Sequence, residues 1–325
     1  FTSFDYSGDG NVIIGIKDNG ILSLDVDLEN QVTFIPNTPI WRWHNNDEGD
    51  DIGINAPRAI TITNSGHLVA TSHFGTLYYN GLEYINYIPD QYYKYYSGSS
   101  ETFHAQRLEY HPGDGEHFPI SIIEKDNGTL MFCNSGLVPN SQAPIIRPAI
   151  IELDPNTFEF IPYDTSSQVI DGFWGIYNGA KTMYMLVNQI EKDHTGNIWA
   201  VNPYCEKYGN ILAVQSTYDD SWSHVYMPDE NSYRPQTIAL EQRGSYQRAW
   251  IGFAYESLDH ILYSSGGIKV LQYSNHTINE MIDTSWIHIT NPEILPGGKL
   301  QSIWSLVIDH MGFLWVLSEK GIQGY

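Results

Sequence analysis

Residues 90–118, "DQYYKYYSGSSETFHAQRLEYHPGDGEHF", crowd histidine, arginine and tyrosine into one segment. His104, Arg107, Tyr110 and His111 are the types a polysaccharide lyase needs, and Tyr93 and Tyr96 beside them are candidate ligand contacts. A base takes the proton beside a carboxylate while arginine neutralises the acid. The same side chains also suit a site that holds a ligand without chemistry, or a loop that stabilises itself. A second segment, "IWRWHNNDEGDDIGINAP" at 40–57, sets Trp41, Trp43 and His44 around Arg42. Indole faces pack on the C–H faces of pyranoses, so the two tryptophans could form a sugar platform. Alternation also puts both on one side of an extended strand, as core residues would be. Asp47, Asp50 and Asp51 offer hard oxygens suited to Ca²⁺, but their spacing matches no EF-hand loop and a solvated turn is the plainer reading. No other cofactor is expected. Trp174 and Tyr177 among the glycines of 166–181, with Tyr204, Tyr233 and Arg234, complete the candidate binding set.

The familiar enzyme signatures are missing. There is no GxSxG elbow, HExxH helix, Walker loop or dinucleotide fingerprint, and no pair of carboxylates stands out for glycoside hydrolysis. With 38 acidic residues against 16 Lys plus Arg, the formal charge of −22 repels phosphate backbones and anionic lipid. Nucleic acid and membrane surfaces are therefore poor partners. Cys133 and Cys205 sit in no CxxC and beside no metal-ligand histidine, so they either bridge or remain two buried thiols. Few lysines with many Tyr, Asn and Trp fit an exported protein. "FTSFDYSGDG" shows no signal peptide, which we take to have been removed.

What must position these segments is a repeat. "DHTGNIW" at 193–199 returns as "DHMGFLW" at 309–315, and looser copies centre on Gly10, Gly66, Gly128 and Gly244, giving six units spaced 48 to 68 residues apart. Before each glycine runs an alternating apolar stretch ("AITIT", "ISIIE", "TIALE", "SLVID"), and after it a second ("HLVATS", "TLMFC", "NIWAV", "FLWVLS"). Third and fourth strands follow in several units ("GTLYYNG", "YINYIP"). The Asp-x-x-Gly turn reverses the chain because glycine accepts a positive φ and a short carboxylate bonds the turn amides. Four short antiparallel strands repeated in this way predict an all-β chain: a β-propeller of six to seven four-stranded blades, the last ending after its third strand. A divergent seventh unit has room in 90–118 or 250–290. Residues 1–325 read as one domain of a longer polypeptide. Trp199 and Trp315, after the turn, are expected to pack between neighbouring blades.

"SIWSLVIDHMGFLWVLSEKGIQGY" and "QIEKDHTGNIWAVNPY" resemble the two-component-regulator propeller repeat, roughly D-x-x-G-x-L-W followed by glycine and a short strand. "NSGHLVA" and "RGSYQRAW" depart from it by lacking the Asp. The resemblance implies the periplasmic sensor propellers of hybrid two-component systems, or secreted propellers such as that of the type IX secretion attachment machinery. It implies a periplasmic or cell-surface location, with ligands held where blade-to-blade and second-to-third-strand connections gather. The reading is a non-enzymatic propeller that binds a glycan, or an envelope protein partner, through those connections. The alternatives are a propeller polysaccharide lyase or hydrolase and a structural module of a larger envelope assembly. Contact with a further domain or subunit is expected at the last blade.

Overall fold

The computed structural model describes residues 3–6, 11–16, 20–25, 31–34, 41–42, 51–52, 59–72, 75–79, 84–87, 121–133, 135–137, 150–157, 159–163, 176–177, 180–181, 184–202, 210–226, 234–258, 261–274, 285–289 and 301–325. Strands and turns make up these residues, with no helix among them. Each repeat glycine falls between the first two strands of its own sheet. The first sheet is Ser3–Tyr6, Asn11–Ile16, Gly20–Asp25 and Gln31–Phe34; the second is Ala59–Ile62, Leu68–Ser72, Gly75–Tyr79 and Tyr84–Tyr87. The third is Ile122–Glu124, Leu130–Cys133, Ile150–Asp154 and Glu159–Tyr163. The fourth is Gln189–Lys192, Ile198–Val201, Asn210–Gln215 and Trp222–Tyr226; the fifth is Pro235–Arg243, Tyr246–Leu258, Ile261–Ser274 and Ser285–Ile289. The sixth has three strands, Ile303–Ile308, Leu314–Ser318 and Gly321–Gly324. Within 250–290, one of the two places allowed for a hidden extra unit, the described residues belong to the fifth sheet.

The strands follow chain order in every sheet, and the pairings are antiparallel wherever register is resolved, as in Gln189↔Val201 and Trp199↔Val214. At the first-to-second-strand turn the amides of Thr63, Lys125, Asp193 and Asp309 donate to carbonyls four residues on, and the glycines of those turns have φ between 78° and 87°. An L side chain is strained there, so glycine marks the turn.

Contacts cluster into two compact units. The first comprises Phe1–Ser135, Pro139–Arg147 and Ile151–Pro162, and the second Gly136–Val138, Pro148–Ile150 and Tyr163–Tyr325. Within each, first strands of successive sheets lie against one another. Side chains stitch these junctions. Asp5 Oδ2 accepts from Ile62 N at 2.9 Å in the first unit, while Gln189 takes both the N–H and C=O of Ile238 and Thr237 Oγ1 accepts from Leu306 N in the second. The first unit buries Val69, Leu130, Phe132, Ile151 and Leu153 together. The second buries Trp199, Val201, Leu212 and Val214 of the fourth sheet against Ile238, Ile251, Phe253, Leu271 and Tyr273 of the fifth. At roughly 25 cal/mol per Å² of apolar surface, such sheet-to-sheet faces dominate the stability. Cys133 is a buried thiol that donates to Ser121 O at 3.9 Å, and Cys205 lies outside the described residues.

Candidate functional site

The repeated turn is a hydrogen-bond centre. Asp193 is buried, and its Oδ1 accepts from Thr195 N (2.9 Å), Thr195 Oγ1 (2.7 Å) and Asn197 N (3.0 Å). Its Oδ2 accepts from Asn197 Nδ2 (3.1 Å), Trp199 Nε1 (3.1 Å) and, from the next sheet, Tyr273 OH (3.3 Å). A buried carboxylate is costly unless its oxygens are satisfied, and here they are. Burial, then the charge of Asp193, holds the Tyr273 hydroxyl well above the ordinary phenol range, so it stays a donor.

Departures from the pattern obey one rule. Where the second strand carries tryptophan, a carboxylate meets the indole N–H: Asp193 for Trp199, Asp309 for Trp315 (2.8 Å) and Glu241 for Trp250 (3.0 Å). Glu241 stands three residues before Gly244, so the unit that lacks the Asp replaces it with a longer acid. In the first unit that strand carries Val69 and Met131, which bring no N–H, and the acidic position holds Thr63 and Lys125. Lys125 Nζ instead pairs with Glu152 at 3.2 Å across the third sheet. Sequence inspection missed Glu241 because its turn is shorter; a carboxylate three residues before the glycine was the available signal.

Trp199 is fully buried, as expected. Trp315 is not: it is 44% exposed, because among the described residues no further sheet lies on its face.

These turns spend their carboxylates on hydrogen bonds within the protein. They leave one end of each sheet, the third-to-fourth-strand turn leaving the same end, where Thr217 N donates to Asn197 Oδ1. In an up-and-down sheet, the second-to-third-strand segments and the links to the next sheet must leave the other end. The described candidates, Trp41, Tyr177 and Arg234, belong to such links. Trp41 begins a two-stranded ribbon (Trp41–Arg42 with Asp51–Ile52) in the link between first and second sheets, where Asp51 stands opposite Arg42. Tyr177 lies in the ribbon Ile176–Tyr177 with Ala180–Lys181, between third and fourth sheets. Arg234 is half-buried just before the fifth sheet, and its carbonyl accepts from Ala254 N at 2.8 Å. Trp43, His44, Asp47, Asp50, Tyr93, Tyr96, His104, Arg107, Tyr110, His111, Trp174, Tyr204 and Tyr233 lie in linking segments outside the described residues. No group of three or more His, Cys, Asp or Glu able to hold a metal occurs among the described residues.

No family model matches the chain, and no curated protein matches its sequence. Solved structures do match in fold. PorZ, a bacterial surface component of the type IX secretion system of Porphyromonas gingivalis, aligns over 100% of this chain and 40% of its own, with TM-score 0.54 at 11% identity. An ancestral GH74 enzyme aligns over 98% of this chain and 35% of its own, with TM-score 0.56 at 11% identity. The extracellular domain of a hybrid two-component system from B. thetaiotaomicron aligns over 99% and 38%, with TM-score 0.42 at 16% identity. The chain thus spans well under half the length of these proteins. The fold is a β-propeller. At such identities the likeness speaks for the fold alone. No helix among the described residues is long and apolar enough to cross a membrane.

Proposed function

We propose that this chain is a non-enzymatic, extracytoplasmic propeller module that recognises a carbohydrate through the segments linking its sheets. One observation carries the reading. The repeat carboxylates of the described sheets accept from indole and turn donors, while Trp41, Tyr177 and Arg234 belong to links between sheets, away from those turns. Segments presented by a rigid scaffold are where binding concentrates, and aromatic rings with a few cations suit a polyol ligand. The acidic balance favours a neutral glycan over a polyanion. The likeness to a secretion-system surface component supports a place outside the cytoplasm.

A glycan array followed by calorimetric titration tests this. Saturable binding to a neutral glycan, weakened by Tyr96→Ala or Trp174→Ala, is expected. Silence on every glycan, with an envelope protein co-purifying instead, would move the reading to a protein partner. Unsaturated, ultraviolet-absorbing ends formed from uronate polysaccharides would replace it with the lyase.

A further inference from the structure

The sixth sheet turns an apolar face to solvent. Val307, Trp315 and Gly324 form one row across it, and Leu317 and Ile322 stand opposite each other in the next. Val307 is 54% exposed, Leu317 36% and Ile322 70%, with Met311 and Phe313 exposed in the adjoining turn. The same face is covered twice earlier in this unit. On the fourth sheet the matching row and the next, Trp199 with Val214 and Val201 with Leu212, are sealed by the fifth sheet. On the fifth sheet Trp250, Ile268 and Val270 are sealed by Ile303, Leu306, Leu314 and Val316 of the sixth.

The polar chemistry matches as well. Asp193 Oδ2 takes Trp199 Nε1 and the incoming Tyr273 hydroxyl; Asp309 Oδ2 takes Trp315 Nε1, with no hydroxyl from a following sheet among the described residues. Gly324 keeps the surface flat beneath the indole, since a Cβ there would meet Trp315 Cζ3 at 3.2 Å.

We propose that this face is a docking surface for one further antiparallel β-sheet of the same repeat, which sets a hydroxyl-bearing aromatic over Trp315 and donates to Asp309 Oδ2. The fourth-to-fifth sheet interface defines both the apolar rows and the hydroxyl donor, and the fifth-to-sixth interface repeats the apolar rows. The proposal stands apart from the carbohydrate reading, because the face lies on the sheet and not in the linking segments.

The test supplies such a sheet. Tyr325 exchanges both backbone hydrogen bonds with Leu314, the register that Gln215 holds against Ile198. A duplicate of residues 216–290 joined directly after Tyr325 therefore continues the pattern in phase. Hydrogen exchange of residues 303–325 should slow by about tenfold or more. Tyr→Phe at the duplicated Tyr273 should reverse part of that protection, and Trp315→Glu most of it. Unchanged exchange over 303–325 overturns the proposal. The 325-residue chain alone gives a second reading by sedimentation. A monomer whose dye-accessible apolar surface is lost in Trp315→Glu supports it, whereas a dimer dissolved by that substitution makes a second copy the occupant and overturns it.

Discussion

Trp199 and Tyr273 lie with ring centroids 4.9 Å apart, tilted by 43°, and both donate to one oxygen of Asp193. Beside the apolar contacts and the Gln189 hydrogen bonds, two sheets of the second unit thus share one buried aromatic pair and one buried carboxylate.

Asp193→Ala should therefore strip an acceptor from Thr195, Asn197, Trp199 and Tyr273 together and cost about 3 kcal/mol. Asp309→Ala, at the same repeat position but open to solvent, should move the unfolding midpoint far less. Urea titration of the two variants checks the contrast, and equal losses would mean that burial by the next sheet is irrelevant.

Glu241 and Trp250 should behave as a coupled pair. Glu241→Ala leaves a buried indole N–H without its acceptor and should cost roughly 1–3 kcal/mol. In Trp250→Phe, which removes that N–H, the same substitution should cost clearly less. A double-mutant cycle measures the difference; strict additivity would show that Glu241 does not serve the indole.

Gly252 is set by approach rather than turn geometry. A Cβ there would lie 2.6 Å from Ile303 Cγ2 and 2.8 Å from Thr237 Cγ2, in the fifth-to-sixth sheet interface. Gly252→Ala should destabilise by about 1–3 kcal/mol, whereas in an Ile303→Ala background, which removes that Cγ2, the same substitution should cost less. Thermal melts in both backgrounds report it.

Glu191 gives the scaffold a pH dependence. Its carboxyl is buried at the fourth sheet's first strand beside Gln189 Nε2 (3.0 Å), and burial pushes its pKa up from 4.5 to about 7. The native state thus holds this proton more tightly than the unfolded chain, so its contribution is complete below pH 4.5 and is lost as pH rises through about 7. The difference amounts to about 3 kcal/mol. Glu191→Gln should flatten that part of the stability curve between pH 5 and 8, as read from urea midpoints. An unaltered slope would place the titration elsewhere.

Much of this architecture is legible in the letters. All six glycine-centred units correspond to sheets, and "AITIT", "NIWAV" and "GTLYY" mark strands, because a half-buried pleated surface enforces period two. The candidate segments were recognisable as connections for the converse reason: they break that period. What the letters did not reveal was spatial. Glu241 does the work of an Asp from a shorter turn, Lys125 reaches Glu152 on another strand, and two tryptophans with the same local sequence end up buried and exposed. Each depends on what lies across a sheet or on its face, which spacing along the chain does not encode.

Calorimetric titration of the best glycan from the array, against a linking-segment variant (Arg107→Ala) and a scaffold variant (Asp193→Ala), separates binding from support. The expected result is that Arg107→Ala loses affinity with its unfolding midpoint intact, while Asp193→Ala melts early yet binds normally per folded molecule. Affinity lost from Asp193→Ala alone, with Arg107→Ala unaffected, would contradict the account.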